Sequence, residues 1–138
     1  TIIDAGADII TIHQESTTRL YSCIEKIKSR GVKAGVVLSP ATNEDTLKYV
    51  LDKIDMILLM TINPGEAGPG FHEELLTKIK NVRELIGDRD IDLEVDGGID
   101  NTNIAKCKEA GVNVFVSGGY VFKGDIAEKI KTLREALK

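Results

Sequence analysis

The stretch M-I-L-L-M-T-I at residues 56–62 is apolar on both faces of an extended chain. A strand whose sheet meets water on one side alternates apolar with polar residues. A strand in a parallel sheet is covered on both faces and reads as a continuous apolar run. The stretch therefore predicts a buried strand of a parallel sheet, with helices packed against that sheet.

Strand and helix patterns alternate on both sides of this stretch. Runs rich in β-branched residues are separated by longer segments whose apolar residues recur every three or four positions. The predicted strands are 7–13, 32–38, 56–62, 91–96 and 114–117. The predicted helices are 17–29, 43–53, 72–86, 101–110 and 125–137. Five βα units without a hairpin signal predict an α/β fold with a parallel sheet, either an open doubly wound sheet or part of a barrel.

The composition excludes several classes of protein. The chain has 138 residues, 42% of them hydrophobic, which suits one globular domain with its own core. The 22 acidic residues outnumber the 18 lysines and arginines, and no basic cluster is present, so we expect no binding to nucleic acid. No apolar run approaches the roughly 18 residues of a membrane span, so we expect no membrane association. Cys23 and Cys107 show neither C-x-x-C spacing nor a secretory pattern, which favours a reducing, cytoplasmic location.

Two pairs of glycines follow consecutive predicted strands, Gly97 and Gly98 after the fourth, Gly118 and Gly119 after the fifth. Backbone N–H groups without a side chain in front of them bind anions well. TIM barrels commonly hold a phosphate in the loops after strands seven and eight, and five units would be the C-terminal part of a barrel of roughly 250 residues. A glycine pair can also serve only a tight turn with positive φ. Two pairs at adjacent strand ends favour a phosphate site.

Asp96 ends the fourth predicted strand, directly before the first glycine pair. A carboxylate at this position can accept a proton, donate one or bind a metal ion. It can instead cap the following turn through its side chain. Asp100 is better placed for that capping, because it stands just before the predicted helix. Asp96 is therefore the candidate catalytic and metal-binding residue.

Six blocks of sequence match one family, in order and with that family's spacing. They are A-D-I-I-T-I-H-Q-E-S at 7–16, V-K-A-G-V-V-L-S-P-A-T at 32–42, M-T-I-N-P-G at 60–65, L-E-V-D-G-G-I at 93–99, K-C-K-E-A-G-V-N at 106–113 and V-S-G-G at 116–119. With these blocks the chain resembles the ribulose-phosphate 3-epimerases over nearly its whole length. The resemblance implies a (β/α)8 TIM barrel of the ribulose-phosphate-binding type. Residues 1–138 would then be strands 4 to 8 of one domain, with the N-terminal part absent.

The resemblance also implies a reaction, the inversion of carbon 3 of a ketopentose phosphate. Such an isomerase interconverts ribulose 5-phosphate and xylulose 5-phosphate, with two aspartates that exchange acid and base roles on opposite faces of C3. One divalent metal ion, bound by both aspartates and two histidines, stabilises the enediolate between them. Asp96 matches the later aspartate, so its implied roles are acid/base catalyst and metal ligand. A homo-oligomer is implied for the complete protein.

Further family positions are matched by other residues. Met60 matches a methionine beside the metal site, and His13 matches a histidine that lies near the site without being a ligand. The phosphate-binding loops are matched by Gly68, Gly97, Gly98, Gly118 and Gly119. These residues complete the set of expected site residues.

Half of the family's site is missing from the sequence. The first aspartate and the metal-binding histidines belong to motifs of the type H-V-D-V-M-D-G and D-V-H-L-M, and neither motif occurs here. His72 is expected to be an exposed polar residue at a helix start, so it does not replace a ligand. We therefore expect the chain alone to be inactive. Five units also leave one sheet face and its edges uncovered, which predicts self-association.

The loop after the third predicted strand departs from the family. Most members have N-P-G-F-G-G-Q-x-F, whereas this chain has N-P-G-E-A-G-P-G-F at 63–71. Glu66 replaces an aromatic residue, Pro69 replaces a glutamine, and Gly119 in the last loop replaces a serine. Ala67 replaces a glycine, and an alanine at this position is expected in the related allulose 6-phosphate 3-epimerases, which act on a ketohexose phosphate. Those enzymes, however, have an aspartate at the position of Asn63.

Three alternatives therefore remain open beside the pentose-phosphate epimerase. The first is an allulose 6-phosphate 3-epimerase. The second is another phosphate-binding barrel enzyme, such as a decarboxylase or an aldolase. Such an enzyme would need a lysine at a strand end or an Asp-x-Lys pair, whereas Lys33 lies early on its strand. The third is a non-catalytic remnant that keeps the core and the phosphate loops.

Overall fold

The computed structural model describes residues 1–65 and 71–138. Its centre is a five-stranded sheet in which neighbouring strands are parallel and the strand order follows the chain. The strands are β1 (Ile9–His13), β2 (Lys33–Leu38), β3 (Met56–Met60), β4 (Asp92–Asp96) and β5 (Val114–Val116). The predicted parallel sheet is confirmed, with each strand ending within one or two residues of its expected position.

Helices connect the strands. The α-helices are α1 (Leu20–Ser29), α2 (Leu75–Ile86), α3 (Ile104–Ala110), α4 (Gly119–Phe122) and α5 (Ile126–Ala136), and 3-10 turns lie at Gln14–Ser16, Glu44–Leu47 and Leu51–Lys53. The short helix α4 was not predicted, because four residues are too few to show a helical period. Within the described part of the chain, no helix is long and apolar enough to cross a membrane.

The predicted helix over residues 43–53 is wrong, because two separate 3-10 turns occupy this segment. The expected cap is nevertheless present, since the side chain of Asn43 accepts a hydrogen bond of 2.8 Å from the N–H of Asp45. Thr46 and Val50 have a lower helix propensity than the leucines and lysines beside them, and a helix of eleven residues is marginal by itself. Short turns bury the same apolar residues without needing a continuous helix.

The hydrophobic core lies between the sheet and the helices. The strands contribute every second residue to it, namely Val36, Leu38, Ile57, Leu59, Leu93 and Val95. The helices contribute Ile24, Ile79, Val82, Ile86, Ile104 and Cys107, each with an exposure of 2% or less. Full burial of one such aliphatic side chain stabilises a fold by roughly 1.5–3 kcal/mol. The helices thus cover one face of the sheet.

The other face of the sheet carries the alternate residues of the same strands, because successive side chains of a strand point to opposite faces. We call this set the open face: Ile9, Thr11, His13, Val37, Leu58, Met60, Glu94, Asp96, Val114 and Val116. Val37 in the middle of the sheet is only 2% exposed, whereas Ile9 on the edge strand is 40% exposed. The candidate site lies on this face, at the carboxyl ends of the strands.

Candidate active site

Asp96 is the last residue of β4 and lies on the open face. Its neighbour Val95 is fully buried against the helices, so the alternation of the strand directs Asp96 to the opposite side. The parallel register pairs Asp96 with Met60 at the end of β3 and with Val116 at the end of β5. A carboxylate and a thioether therefore lie side by side where three strands end.

Burial decides the acidity of this carboxylate. Asp96 is half-buried, and burial raises its pKa above the ordinary aspartate value. Glu94 lies two residues earlier on the same face, and its pKa is raised by burial first and then by the negative charges of Asp96 and Asp92. Glu94 was not among the predicted site residues, although the alternation in L-E-V-D places it on the same face as Asp96.

His13 ends β1 on the same face and at the same end of the sheet. The register joins it to Val37, then Leu58 and then Glu94, so its row lies two residues before that of Asp96. Three strand spacings separate β1 from β4, which amounts to about 14 Å. Within this chain His13 therefore lies in the same part of the sheet as Asp96 without being its neighbour.

Gly97 is required by the packing of two strand ends. Its φ of 125° lies in the region that favours glycine, and an added Cβ would lie 2.6 Å from Cγ1 of Ile62 and 2.9 Å from Oγ1 of Thr61. Thr61 is fully buried, its N–H donates to the carbonyl of Asp96 at 2.9 Å, and its hydroxyl contacts the carbonyls of Asp96 and Gly97. This contact fixes the backbone on which the Asp96 side chain stands.

The other three glycines of the two pairs present exposed backbone. Gly98 has a φ of 65°, and its carbonyl accepts a hydrogen bond of 2.7 Å from the side-chain amide of Asn103. Apart from its chain neighbours, no described residue comes within 4 Å of a Cβ added at Gly118 or at Gly119, and neither glycine has a positive φ. Neither local geometry nor close packing therefore requires glycine at these two positions, which leaves room for a ligand.

The two glycine loops are held together at one corner of the sheet. The hydroxyl of Ser117 donates to the carbonyl of Ile99 at 2.7 Å, which joins the loop after β5 to the loop after β4. The helix α4 begins at Gly119, directly after this loop, and its first N–H groups have no partner inside the helix. Both glycine pairs thus lie beside Asp96, at the same end of the sheet.

Asp100 caps the turn that follows, as the sequence predicts. Its carboxylate accepts hydrogen bonds from the N–H groups of Thr102 (2.8 Å) and Asn103 (3.2 Å) and from the hydroxyl of Thr102 (2.6 Å). These contacts hold residues 100–103 as a turn, so α3 begins three residues later than expected, at Ile104. With Asp100 in this role, Asp96 is not needed as a cap.

A polar network at the ends of β1 and β2 was missed by the sequence analysis. The Glu15 carboxylate accepts hydrogen bonds from the N–H of Ser39 (2.7 Å) and from the hydroxyl of Thr42. The Lys78 ammonium group donates to the carbonyls of Ser39 (2.9 Å), Pro40 (3.0 Å) and Thr42 (2.6 Å). Sequence gives little signal for such a network, because charged residues at these positions read as solvated surface.

The described residues do not form a metal site by themselves. In residues 1–65 and 71–138, no group of three histidine, cysteine, aspartate or glutamate side chains is arranged to hold a metal ion. Asp92, Glu94 and Asp96 share one strand face, where residues two positions apart are about 7 Å apart. A metal ion held at Asp96, the predicted ligand, would therefore need further ligands from outside the described residues.

Four residues of interest fall in the segment 66–70, which lies outside the described residues. These are the predicted phosphate-binding Gly68 and the family departures Glu66, Ala67 and Pro69. His72 follows shortly after and is exposed, as expected, before α2 begins at Leu75. Lys33 is the first residue of β2 and so lies at the amino end of the sheet, away from the site.

The sequence model of the ribulose-phosphate 3 epimerase family matches residues 1–122. The chain belongs to this family. It is similar to the ribulose-phosphate 3-epimerase of Serratia marcescens, with 48% identity over 86% of this chain and 57% of that protein. It is also similar to the ribulose-phosphate 3-epimerase of Escherichia coli (strain K12), with 43% identity over 96% of this chain and 60% of that protein. The chloroplastic ribulose-5-phosphate-3-epimerase of Arabidopsis thaliana is 43% identical over 96% of this chain and 49% of that protein.

Solved structures give the same fold. A 3-hexulose-6-phosphate synthase superposes with a TM-score of 0.70 at 25% identity, over 99% of this chain and 65% of that chain. A 3-keto-L-gulonate-6-phosphate decarboxylase of Vibrio cholerae superposes with a TM-score of 0.75 at 20% identity, over 98% of this chain and 63% of that chain. These neighbours are ribulose-phosphate-binding TIM barrels, and the five-stranded sheet covers part of each barrel. The chain spans about half to three fifths of the length of the curated relatives it matches.

Proposed function

We propose that this chain is strands 4 to 8 of a ketose-phosphate 3-epimerase that interconverts ribulose 5-phosphate and xylulose 5-phosphate. Residues 1–138 would form the C-terminal part of a single TIM-barrel domain. The observation that carries the proposal is the position of Asp96, which lies on the open face beside two joined glycine loops. An acid at this position faces a substrate whose phosphate is bound in the same corner.

The glycine loops would bind the substrate phosphate. The backbone of Gly98, Gly118 and Gly119 is exposed, and α4 begins at Gly119 in the same corner. Backbone N–H groups of this kind are good hydrogen-bond donors to an anion. Gly97 is buried, so its part is to let β4 pack against Thr61. Gly68 stays a candidate through the family alone, because it lies outside the described residues.

Asp96 would move the proton at C3 on one face of the sugar. Its raised pKa brings the carboxyl nearer to the range in which a group both accepts and returns a proton. A single carboxylate reaches only one face of a planar intermediate, so inversion requires a second group on the opposite face. No described residue of this chain faces Asp96 in that way, and the second group must come from the remaining strands of the barrel.

The other predicted site residues take supporting roles in this proposal. Met60, paired with Asp96 in the sheet, would exclude water from one side of the carboxylate. His13 would line the same face of the sheet as Asp96, three strands away on β1. One divalent metal ion belongs to the proposal through the family, but the described residues offer only Asp96 to it, so no step is assigned to the metal here.

The alternatives have less support in the structure. A decarboxylase or aldolase needs a reactive lysine at a strand end, whereas Lys33 lies at the amino end and Lys78 donates to three carbonyls. The choice between a ketopentose and a ketohexose phosphate rests partly on residues 66–70, which lie outside the described residues. We keep a homo-oligomer and a cytoplasmic location as part of the proposal, the latter because Cys23 and Cys107 are free thiols.

Solvent exchange at C3 tests the proposal. The chain would be fused behind the N-terminal βα units of the Escherichia coli relative and incubated with ribulose 5-phosphate in deuterated water. We expect deuterium at C3 with the fused protein and a loss of at least a hundredfold for Asp96→Asn. Asp92→Asn, on the same strand at its amino end, is the matched control and should exchange normally. A folded fusion without exchange, or undiminished exchange in Asp96→Asn, would contradict the proposal.

A further inference from the structure

The loop that follows Asp96 contacts the buried polar side chains of the protein. Among residues 1–65 and 71–138, the buried polar residues are Thr61 and Asn103. Burying a polar side chain costs free energy unless it forms hydrogen bonds, so apolar residues are more common at such positions. Both residues form hydrogen bonds with this one loop. The two side chains therefore have a common role in its conformation.

Thr61 binds the carbonyl group of Gly97. The carbonyl of Asp96 accepts the N–H of Thr61 at 2.9 Å, and the hydroxyl of Thr61 lies 3.0 Å from the same oxygen. A threonine hydroxyl has a single proton to donate. Because the N–H already binds the Asp96 carbonyl, the hydroxyl proton is left for the carbonyl of Gly97, which the hydroxyl also contacts. The peptide unit between Gly97 and Gly98 is thereby held from the core.

Asn103 binds the next carbonyl of the loop. Its side-chain N–H donates to the carbonyl of Gly98 at 2.7 Å, and its side-chain oxygen accepts the N–H of Asp100 at 3.0 Å. The peptide units on both sides of Gly98 are therefore held by two side chains. We call this pair the carbonyl clamp: Thr61 and Asn103.

The carbonyl clamp fixes the direction of the Gly98 N–H. In a trans peptide unit, the carbonyl of one residue and the N–H of the next point in opposite directions. The Gly98 N–H therefore points away from Thr61, and it donates to no acceptor within residues 1–65 and 71–138. Gly98 is exposed, whereas Gly97 and Ile99 beside it are buried. Gly98 thus provides the backbone donor of this loop that a ligand can reach.

Without the carbonyl clamp, two adjacent glycines would leave this peptide unit free to rotate. Glycine adopts positive and negative φ about equally well, and here Gly97 and Gly98 have φ values of 125° and 65°. Rotation of their shared peptide unit by half a turn would present the Gly97 carbonyl oxygen in place of the Gly98 N–H. A carbonyl oxygen repels an anion, whereas an N–H binds it. The orientation of one peptide unit therefore decides whether the loop accepts a phosphate.

We propose that Thr61 and Asn103 are positioning residues for phosphate binding. They hold the two peptide units around Gly98 in the orientation that presents its N–H to the ligand, and neither side chain contacts the phosphate itself. The inference rests on the phosphate site of the proposed function, and it adds the residues on which the affinity of that site depends.

A titration of the full chain with inorganic phosphate tests the inference. Amide signals are followed by NMR at constant ionic strength, with chloride as the balancing anion. For the unchanged chain we expect a saturable shift of the Gly98 amide. Thr61→Val replaces the hydroxyl by a methyl group and should raise the Kd for phosphate about tenfold, because a hydrogen bond to a charged group contributes roughly that factor. Thr61→Ser keeps the hydroxyl and should stay within about twofold of the unchanged chain.

A second variant tests the other half of the carbonyl clamp. Asn103→Leu removes the side-chain amide that holds the Gly98 carbonyl, and it should likewise raise the Kd about tenfold. This variant carries the test if Thr61→Val does not fold. Urea unfolding of every variant is measured in parallel. A variant of the clamp that loses stability while its Kd stays unchanged has a structural role only, which would overturn the proposal.

Matched controls remove the same groups away from the loop. Thr46→Val removes a hydroxyl that donates to the carbonyl of Asn43 at 2.8 Å. Asn81→Leu removes a side-chain amide that donates to the carboxylate of Glu44 at 2.9 Å. Both controls should bind phosphate with the Kd of the unchanged chain.

The outcome is separable from that of the proposed function. If phosphate binding at Gly98 depends on Thr61 and Asn103 while the fused protein shows no C3 exchange, the positioning role stands and the proposed activity fails. If the fused protein exchanges the C3 proton while Thr61→Val and Asn103→Leu bind phosphate as well as the unchanged chain, the activity stands and the positioning role fails. An unchanged chain whose Gly98 amide does not respond to phosphate would also overturn the positioning role.

Discussion

Gly97 and Gly118 both follow a strand of the sheet, yet they answer different physical needs. At Gly97 the positive φ and the contact with Thr61 and Ile62 leave no room for a side chain. At Gly118 the φ is −104° and the space around an added Cβ is open. The first glycine therefore serves the packing of the fold, whereas the second leaves backbone free for a ligand.

This difference predicts unequal effects of the same substitution. Gly97→Ala should lower the free energy of unfolding by about 3 kcal/mol, because it adds both an unfavourable φ and an overpacked methyl group. Gly118→Ala should stay within about 0.5 kcal/mol of the unchanged chain. Urea unfolding of both variants at one low protein concentration measures the difference. Equal losses in the two variants would contradict the division of roles.

At the residue scale, the sequence predicts which side chains lie close together, but it gives little information about the contacts that fix their positions. The side of the sheet on which Asp96 lies follows from alternation with Leu93 and Val95, and the capping by Asp100 follows from its place before a helix. The role of Thr61 does not follow, because a buried threonine that contacts the carbonyls of a neighbouring strand looks like any strand residue. Such contacts depend on the sheet register, which the sequence of one strand does not carry.

At the scale of elements, the strands were predictable and the connections less so. β3 shows the long apolar run of a strand covered on both faces, and the other four strands appear in order as shorter stretches rich in apolar and β-branched residues. The segment 43–53 misled the prediction, because apolar residues three or four apart fit consecutive 3-10 turns as well as one helix. The hydrogen bonds of Glu15 and Lys78 to residues 39–42 also fix the loops after β1 and β2, and the sequence analysis missed them.

This network predicts a pH-dependent contribution to stability. Burial alone would raise the pKa of Glu15, but hydrogen bonds from Thr42 and Ser39 lower it to about 2, from an ordinary value of 4.5. A carboxyl whose pKa is lower in the folded state stabilises the fold above its unfolded pKa, and this contribution is lost as the pH falls through the folded value. The relevant window is therefore between 4.5 and about 2.

Glu15→Gln should accordingly cost stability at pH 7, by about 1 kcal/mol because solvent screens this exposed side chain. The difference from the unchanged chain should shrink as the pH falls from 4.5 toward 2. Thermal unfolding across this range measures it, and Glu109→Gln on the exposed side of α3 controls for the loss of one negative charge. A difference that stays constant down to pH 2 would show that the Glu15 carboxylate does not carry the effect.

At the scale of the whole molecule, the fold explains why half of a site can be read and half cannot. The five units bring Asp96 and the two joined glycine loops together at one end of the sheet. A TIM-barrel site takes residues from the ends of several strands around the ring. In the proposed function the opposing acid and the metal-binding histidines would lie on other strands of the barrel, so the described residues do not place them.

The open sheet predicts a gradient of local stability across the molecule. β2, β3 and β4 have paired strands on both sides, whereas β1 and β5 are held on one side only. The inward amides of Ile10 on β1 and Phe115 on β5 should therefore exchange with solvent at least tenfold faster than those of Val36 and Ile57, since edge strands open without unfolding the core. Hydrogen exchange followed by NMR on the full chain measures these four amides. Equal protection of all four amides in the chain alone would show that both edges are already covered.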